Sequence, residues 1–279
     1  MSYKTILVHV DDAKNVDTRI ELAAQLALSE DAHLIGTAMT GISRFLYESV
    51  AVSPDDPGIV PYLDILRKRA NDTLTKFDDI VQRTGVRSFE KRLSDDEPAN
   101  GLSTQAHYCD LAVLGQYDPQ GSSSSVYADV PEYVVMNSGC PVLLVPYAGH
   151  FTTVSDRVLI AWNASMEALG AVRAALPLLQ RARIVEVAIF NPASRPDAYG
   201  VEPGADIALY LARHGIKVDV MQEKTDVDAG EALLSLAANL NSSLLVMGCY
   251  GTSRFRETLL GGATRTVLQS MTIPVLMSH

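Results

Sequence analysis

Cysteine is scarce in this chain. Only Cys109, Cys140 and Cys249 occur, and no two of them form a C-x2-C pair. That rules out a disulfide framework, argues against structural zinc, and suits a reducing compartment. Tryptophan is scarcer still: Trp162 stands alone and is expected to pack between sheet and helix. No run of eighteen apolar residues is present, and the opening MSYKTILVHV reaches a strand without a long apolar leader. A soluble, cytoplasmic protein is therefore expected. Positive charge is in deficit, with 23 Lys+Arg against 33 Asp+Glu and a net charge of −10. An acidic surface disfavours nucleic acid and anionic membranes as partners, although a local basic loop can still hold phosphate. Several signatures of chemistry are missing too. There is no G-x4-G-K-[ST], no G-x-G-x2-G after a first strand, and no G-x-S-x-G elbow. Walker-type NTPases, ordinary NAD sites and nucleophile-elbow hydrolases are thereby disfavoured.

What the chain does have is apolar residues, 47% of its 279. That is ample for a core and places it among folded proteins. The apolar pattern alternates between strand-length runs and helical spacing. TILVHV at 5–10 reads as a buried strand, 17–29 as a helix, and 33–39 as a second strand. Residues 41–62 carry Pro54, Pro57 and Pro61 and read as an excursion. A charged amphipathic helix over 64–84 ends at Gly85, a C-cap signal. Strand 87–93, a short helix at 97–107, and strands 110–115 and 142–145 complete the first half.

The second half repeats this order. Strands are expected at 157–161, 184–190 and 217–221, and helices at 166–179, 205–214 and 229–240. DLAVLGQYD (110–118) aligns with SLLVMGCYG (243–251), and Pro141 aligns with Pro274. Gly115 to Pro141 and Gly248 to Pro274 span the same separation. This is an internal duplication. Alternating β and α predicts an α/β fold of two tandem open parallel-sheet domains, Rossmann-like, with helices on both faces. The expected domains are 1–148, with the excursion, and 156–279, joined by a linker near YAGHFTTVS.

The stretch 244–276, LLVMGCYGTSRFRETLLGGATRTVLQSMTIPVL, is the most informative. A strand ends at Gly248, Gly251 follows after two residues, and Gly261 after nine more. A helix begins near Gly262. Strand, glycine-punctuated loop and helix is an arrangement that surrounds an anion with backbone N–H groups. Gly248-x2-Gly251-x9-Gly261 resembles the nucleotide loop of the universal stress protein family, whose fold is that of the adenine nucleotide alpha hydrolases. The resemblance extends along nearly the whole chain, twice, and implies a tandem member.

In the second half the resemblance implies binding of ATP or another adenine nucleotide, with or without Mg²⁺. Gly248, Gly251 and Gly261 match the glycines that cradle phosphate, and Gly262 and Ala263 open the helix. The family has Ser or Thr where Gly262 stands, and Thr264 lies two residues on. Asn163 replaces the family's strand-1 Asp, which contacts the nucleoside. Ile189 falls on the strand that flanks the base. Arg254, Arg256 and Arg265 lie in or beside the loop. In the first half Gly115 is kept and Asp11 matches the family Asp, but Asp118, Ala128 and Asp129 stand where the second half has Gly251, Gly261 and Gly262. Acids there compete with phosphate for the helix N–H groups. The first half is expected not to bind ATP in the usual way, even with Gly121 and Ser122–Ser125 as an alternative loop.

The functional expectation is a stress-response regulatory protein that binds an adenine nucleotide in its C-terminal domain without efficient catalysis. Family members commonly dimerise through the last strand. Here 142–145 and 275–277 can pair within one chain as a pseudo-dimer, with further homodimerisation open and a protein partner unknown. The rival expectation is a slow Mg-dependent ATP hydrolase or an autophosphorylating protein. Asp226, Asp228 and Glu231 would hold its metal, and Ser253, Thr258 or Thr264 would accept phosphate. Those acids also read as an N-cap and first turn. A third possibility is that Asn163 and Gly262 mark the loss of ATP in favour of another small ligand. His9-x-Asp11-Asp12 reads as a strand-lining histidine rather than a metal cluster.

Overall fold

The computed structural model describes residues 2–42, 59–121, 129–194, 196–199, 201–250 and 262–279. The chain divides into two compact units. One is built from Tyr3–Cys140 with Tyr147–Thr152, the other chiefly from Thr153–His279 with Pro141–Pro146.

In the first unit, strands β1 (Thr5–His9), β2 (His33–Met39), β3 (Phe89–Ser94) and β4 (Leu111–Gly115) lie in the order β3-β2-β1-β4, all parallel. β1, β2 and β4 are almost wholly buried, which is why each reads as an unbroken apolar run. Helices α1 (Val16–Glu30), α2 (Val60–Thr84), α3 (Pro98–Ala106) and α4 (Val130–Asn137) accompany them. α2 ends where expected: Gly85 adopts φ 89° and its N–H bonds back to Val81 and Gln82. α2 packs on β2 through Phe77, which is fully buried against Gly36. A Cβ on Gly36 would stand 2.7 Å from three ring carbons.

In the second unit, β6 (Arg157–Ala161), β7 (Ile184–Phe190), β8 (Asp219–Glu223), β9 (Leu244–Gly248) and β10 (Val275–Ser278) run parallel in the order β10-β9-β6-β7-β8. Its main helices are α5 (Met166–Leu179), α6 (Pro196–Tyr199), α7 (Ala205–Arg213), α8 (Ala229–Asn239) and α9 (Ala263–Ser270). β5 (Val142–Val145) comes from the first half of the sequence but belongs to this unit. It pairs antiparallel with β10, Leu143 opposite Leu276. Four buried apolar residues, VLLV, thus find an edge to cover, and two strand edges disappear. β5 thus falls within the expected 1–148 in sequence and groups with the second unit through its partner strand.

The edge strands β3 and β8 are shifted by about two residues from the expected 87–93 and 217–221, since their sequences, FEKRLS and DVMQE, are mixed and partly exposed. Most of the 41–62 excursion lies outside the described residues.

Candidate functional site

In each unit the chain moves outward from one central strand and then returns to its other side. β1 lies between β2 and β4, and β6 between β7 and β9. These are the switch points at which open α/β sheets hold ligands, beyond the carboxyl ends of the strands. Asp11 and Gly115 lie at these ends in the first unit and Asn163 and Gly248 in the second, and the two ends are finished differently.

In the first unit the end is closed from within. Arg19 reaches from α1 and is only 3% exposed. Its Nη2 donates to Asp11 Oδ1. Its Nη1 lies so close to Gly115 that a Cβ there would stand 2.1 Å away. The missing Cβ of Gly115 thus makes room for the guanidinium. His9 is buried beside the pair, its Nδ1 3.5 Å from Asp11 Oδ2. Burial pushes the His9 imidazole down to about 4, outweighing the upward pull of Asp11, and Arg19 adds to the depression. Burial raises the Asp11 carboxyl, but the charges of Arg19 and His9 and the bonds from Arg19 and Ala13 override it and hold the group below its usual range. Asp118 is taken up locally, accepting from the Gln120 N–H at 2.9 Å. Asp129 precedes α4 without a side-chain cap bond. Arg19 was not apparent as a site residue, since a single arginine in a helical pattern reads as surface.

In the second unit Asn163 repeats the turn made by Asp11. Asn163 Oδ1 accepts from the Ser165 N–H at 3.1 Å, as Asp11 Oδ1 does from Ala13 at 3.1 Å. Asn163 is exposed. Eight residues on, where Arg19 follows Asp11, stands the buried Ala171, and the arginine of α5, Arg173, is exposed. Ser165 caps α5 by accepting from the Ala168 N–H. The start of α5 presses on the end of β9. A Cβ on Gly248 would meet Ala168 N and the Glu167 carbonyl carbon, both at 2.4 Å. Gly248 thus serves close helix–strand packing, whatever else it does.

Tyr250 turns the chain with φ 50°, and its N–H points to Thr264 Oγ1 at 3.5 Å. Thr264 is 2% exposed, so its hydroxyl faces the base of the loop rather than solvent. Gly262 (φ 26°) and Ala263 begin α9 with no side-chain cap, leaving first-turn amides unclaimed by a cap. The starts of α8 and α9 lie side by side: a Cβ on Gly230 would be 2.7 Å from the Ala263 carbonyl oxygen. Ile189 is fully buried, its Cδ1 3.0 Å from the Cβ position of Gly204, so it supports the strand from inside the core. Gly251, Gly261, Ser253, Arg254, Arg256 and Thr258 lie outside the described residues, as do Ser122–Ser125 and Ala128. Arg265 is exposed on α9.

Trp162 is half-buried rather than packed in the core; its backbone N–H donates to the Ala188 carbonyl. Asp228 accepts from the Gly230 and Glu231 N–H groups and caps α8. Among the described residues no three His, Cys, Asp or Glu side chains converge to hold a metal ion. Burial pushes the Cys109 and Cys140 thiols up to about 11 and about 12, which leaves neither as a ready thiolate. No described helix is long and apolar enough to cross a membrane.

Residues 155–279 match the family model described as the Universal stress protein family. Solved structures resemble the whole chain. A universal stress protein from Archaeoglobus fulgidus DSM 4304 is 16% identical, with a TM-score of 0.73 over 98% of this chain and 95% of its own. A functionally unknown protein from Pseudomonas aeruginosa PAO1 is 14% identical, with a TM-score of 0.60 over 99% and 92%. At these identities the likeness establishes the fold: an α/β protein of two domain-like halves. A universal stress protein solved in complex with cAMP covers 53% of the chain and all of its own at 20% identity. Its TM-score of 0.38 says nothing of this chain's ligand. No curated protein matches the chain.

Proposed function

We propose that the second unit binds one adenine nucleotide per chain, ATP or a relative, and that the first unit is a tandem universal stress domain that binds none. The observation that carries this reading is the contrast between the two switch points. In one, Arg19 lies over Gly115 and consumes Asp11. In the other, within the segment matched by the family model, the corresponding helix start brings no cation, and Gly262 precedes α9 where Asp129 precedes α4. A guanidinium already neutralised by a carboxylate gives a triphosphate no opening, whereas amides at a helix start favour one.

The glycine spacing supports placing the phosphates along Gly248, Gly251 and Gly261, with the amides of Gly262, Ala263 and Thr264. Asn163 belongs at the nucleoside end and Ile189 behind it. Binding without efficient turnover fits the commitment of Asp228 to capping α8. The protein then acts by presenting a nucleotide-dependent surface to a protein partner in a stress response. The β5–β10 pair provides within one chain the contact through which single-domain relatives would dimerise.

Denaturing the purified protein and identifying the released nucleotide by mass tests this reading. About one adenine nucleotide per chain is expected after loading with ATP and rapid desalting. A protein that releases none after loading at millimolar ATP would refute it.

A further inference from the structure

We propose that β3 is a self-complementary edge through which two copies of this chain pair, antiparallel, with Lys91 at the two-fold axis. The inference is independent of the nucleotide reading. Among the described strands β3 ends the order of the first unit and β8 that of the second, while β5 and β10 already cover each other. An edge strand is a template for another chain, and natural edges carry charges that discourage pairing. The charges of β3 are arranged so that a second copy of the same strand satisfies them.

The backbone decides which residues face outward. The Ser88 and Ser94 carbonyls accept from the Leu34 and Thr40 N–H groups at 3.0 and 2.9 Å. Even-numbered residues therefore turn their main-chain groups to β2, and Phe89, Lys91 and Leu93 turn theirs away from it. Antiparallel pairing centred on Lys91 sets Lys91 opposite Lys91 of the second copy and Phe89 opposite its Leu93, with about six main-chain hydrogen bonds. A two-fold axis normal to the sheet keeps like faces of the two copies on one side. On the face toward α2, Phe89 meets Phe77 edge to face with centroids 6.1 Å apart, and Leu93 is 42% exposed. The pairing lays each Phe89 beside the Leu93 of the second copy. Lys91 meets its own kind, but its Nζ is 2.6 Å from Asp78 Oδ2, so that charge is neutralised from within the chain. On the opposite face Glu90 comes opposite Arg92. The two already bond along the strand, Arg92 Nε donating to Glu90 Oε1 at 2.7 Å, and both side chains are partly exposed. Two copies thus close a ring of alternating charges. β8 lacks this property. Its Glu223 carbonyl accepts from the Asn191 N–H, so Val220 and Gln222 face outward, and pairing centred on Met221 sets Asp219 against Glu223.

A contact of this length buries little area, so a reversible dimer is expected. Sedimentation equilibrium of the full chain between about 1 and 200 µM tests this, and the wild type should pass from monomer toward dimer in that range. Glu90→Arg and Arg92→Glu each place like charges across the axis and should each weaken the dimer by about tenfold or more. Mixing the two variants, or combining both changes in one chain, returns opposite charges to every such pair and should restore the dimer. Damage to the fold would not be repaired by mixing. A wild type that stays monomeric at about 200 µM would overturn the proposal. So would a dimer indifferent to both charge variants, or one that neither the mixture nor the double variant recovers.

Discussion

Replacing Arg19 by methionine should loosen the first unit around β1 and α1 and leave the second untouched. Arg19 is 3% exposed and its guanidinium is held by Asp11. Removing it leaves Asp11 with the Ala13 N–H and a neutral His9. Breaking a buried ion pair from one side typically costs about 3–5 kcal/mol. The Asp11 side chain is 27% exposed and can take up water, so about 2–3 kcal/mol is expected here. Methionine fills much of the arginine stem, which keeps a cavity out of the estimate. Asp11→Asn should cost more, about 3–5 kcal/mol, because it strands a deeply buried cation whose Nε already has no partner. The double variant should lose much less than the sum, with a coupling of about 2 kcal/mol. Hydrogen exchange on peptides from β1 and α1, alongside urea unfolding, reads the effect within its own unit. The sign with pH follows from Asp11. Its folded carboxyl titrates below the ordinary value, so the coupling is fully present above that value and disappears as pH falls through the folded one. Single variants that add to within about 0.5 kcal/mol would refute the pairing as the element that closes this strand end.

His9, depressed from 6.5 to about 4, is neutral in the folded chain while the unfolded chain takes up a proton across that window. Through this group the stability of the first unit should fall by about 3 kcal/mol as pH drops from 6.5 to 4, and His9→Gln should flatten the profile above about pH 5, where the depressed carboxylates Asp11, Asp78 and Asp95 contribute little; a flat wild-type profile would contradict this. Gly36→Ala places a methyl 2.7 Å from the buried Phe77 ring and should cost about 1–3 kcal/mol, regained in part by Phe77→Leu; urea midpoints decide it. Gly248→Ala collides with the α5 backbone at 2.4 Å, so it should lower stability by about 1–3 kcal/mol and displace Glu167. ATP affinity should drop in the same protein, and a variant of unchanged thermal midpoint would show that α5 does not rest on Gly248.

The parts of the fold that were legible in the sequence share a physical cause. β2, β5, β6 and β7 fall where their apolar runs put them, because strands covered on both faces must be apolar throughout. α5 spans the expected 166–179, and α9 begins beside Gly262 as expected. β3 and β8 slipped because edge strands mix charge with apolar residues and follow neither pattern cleanly. β5 joined the second unit through a long-range pairing that the chain order leaves open but that its four apolar residues favour. Site chemistry was less legible. The glycines stood out, yet Gly115 and Gly248 proved to accommodate Arg19 and the α5 backbone, neighbours that depend on tertiary packing. Arg19 carries the contrast between the units. It reads in sequence as an ordinary charged residue on an amphipathic helix, and only burial distinguishes it.

The count of nucleotide sites per chain tests the central claim most directly. Titration of the full chain with ATP should give one site, lost in Gly261→Asp and retained in Asp11→Asn. Two sites per chain, or one that survives Gly261→Asp, would contradict the assignment of an occupied second unit and a self-closed first.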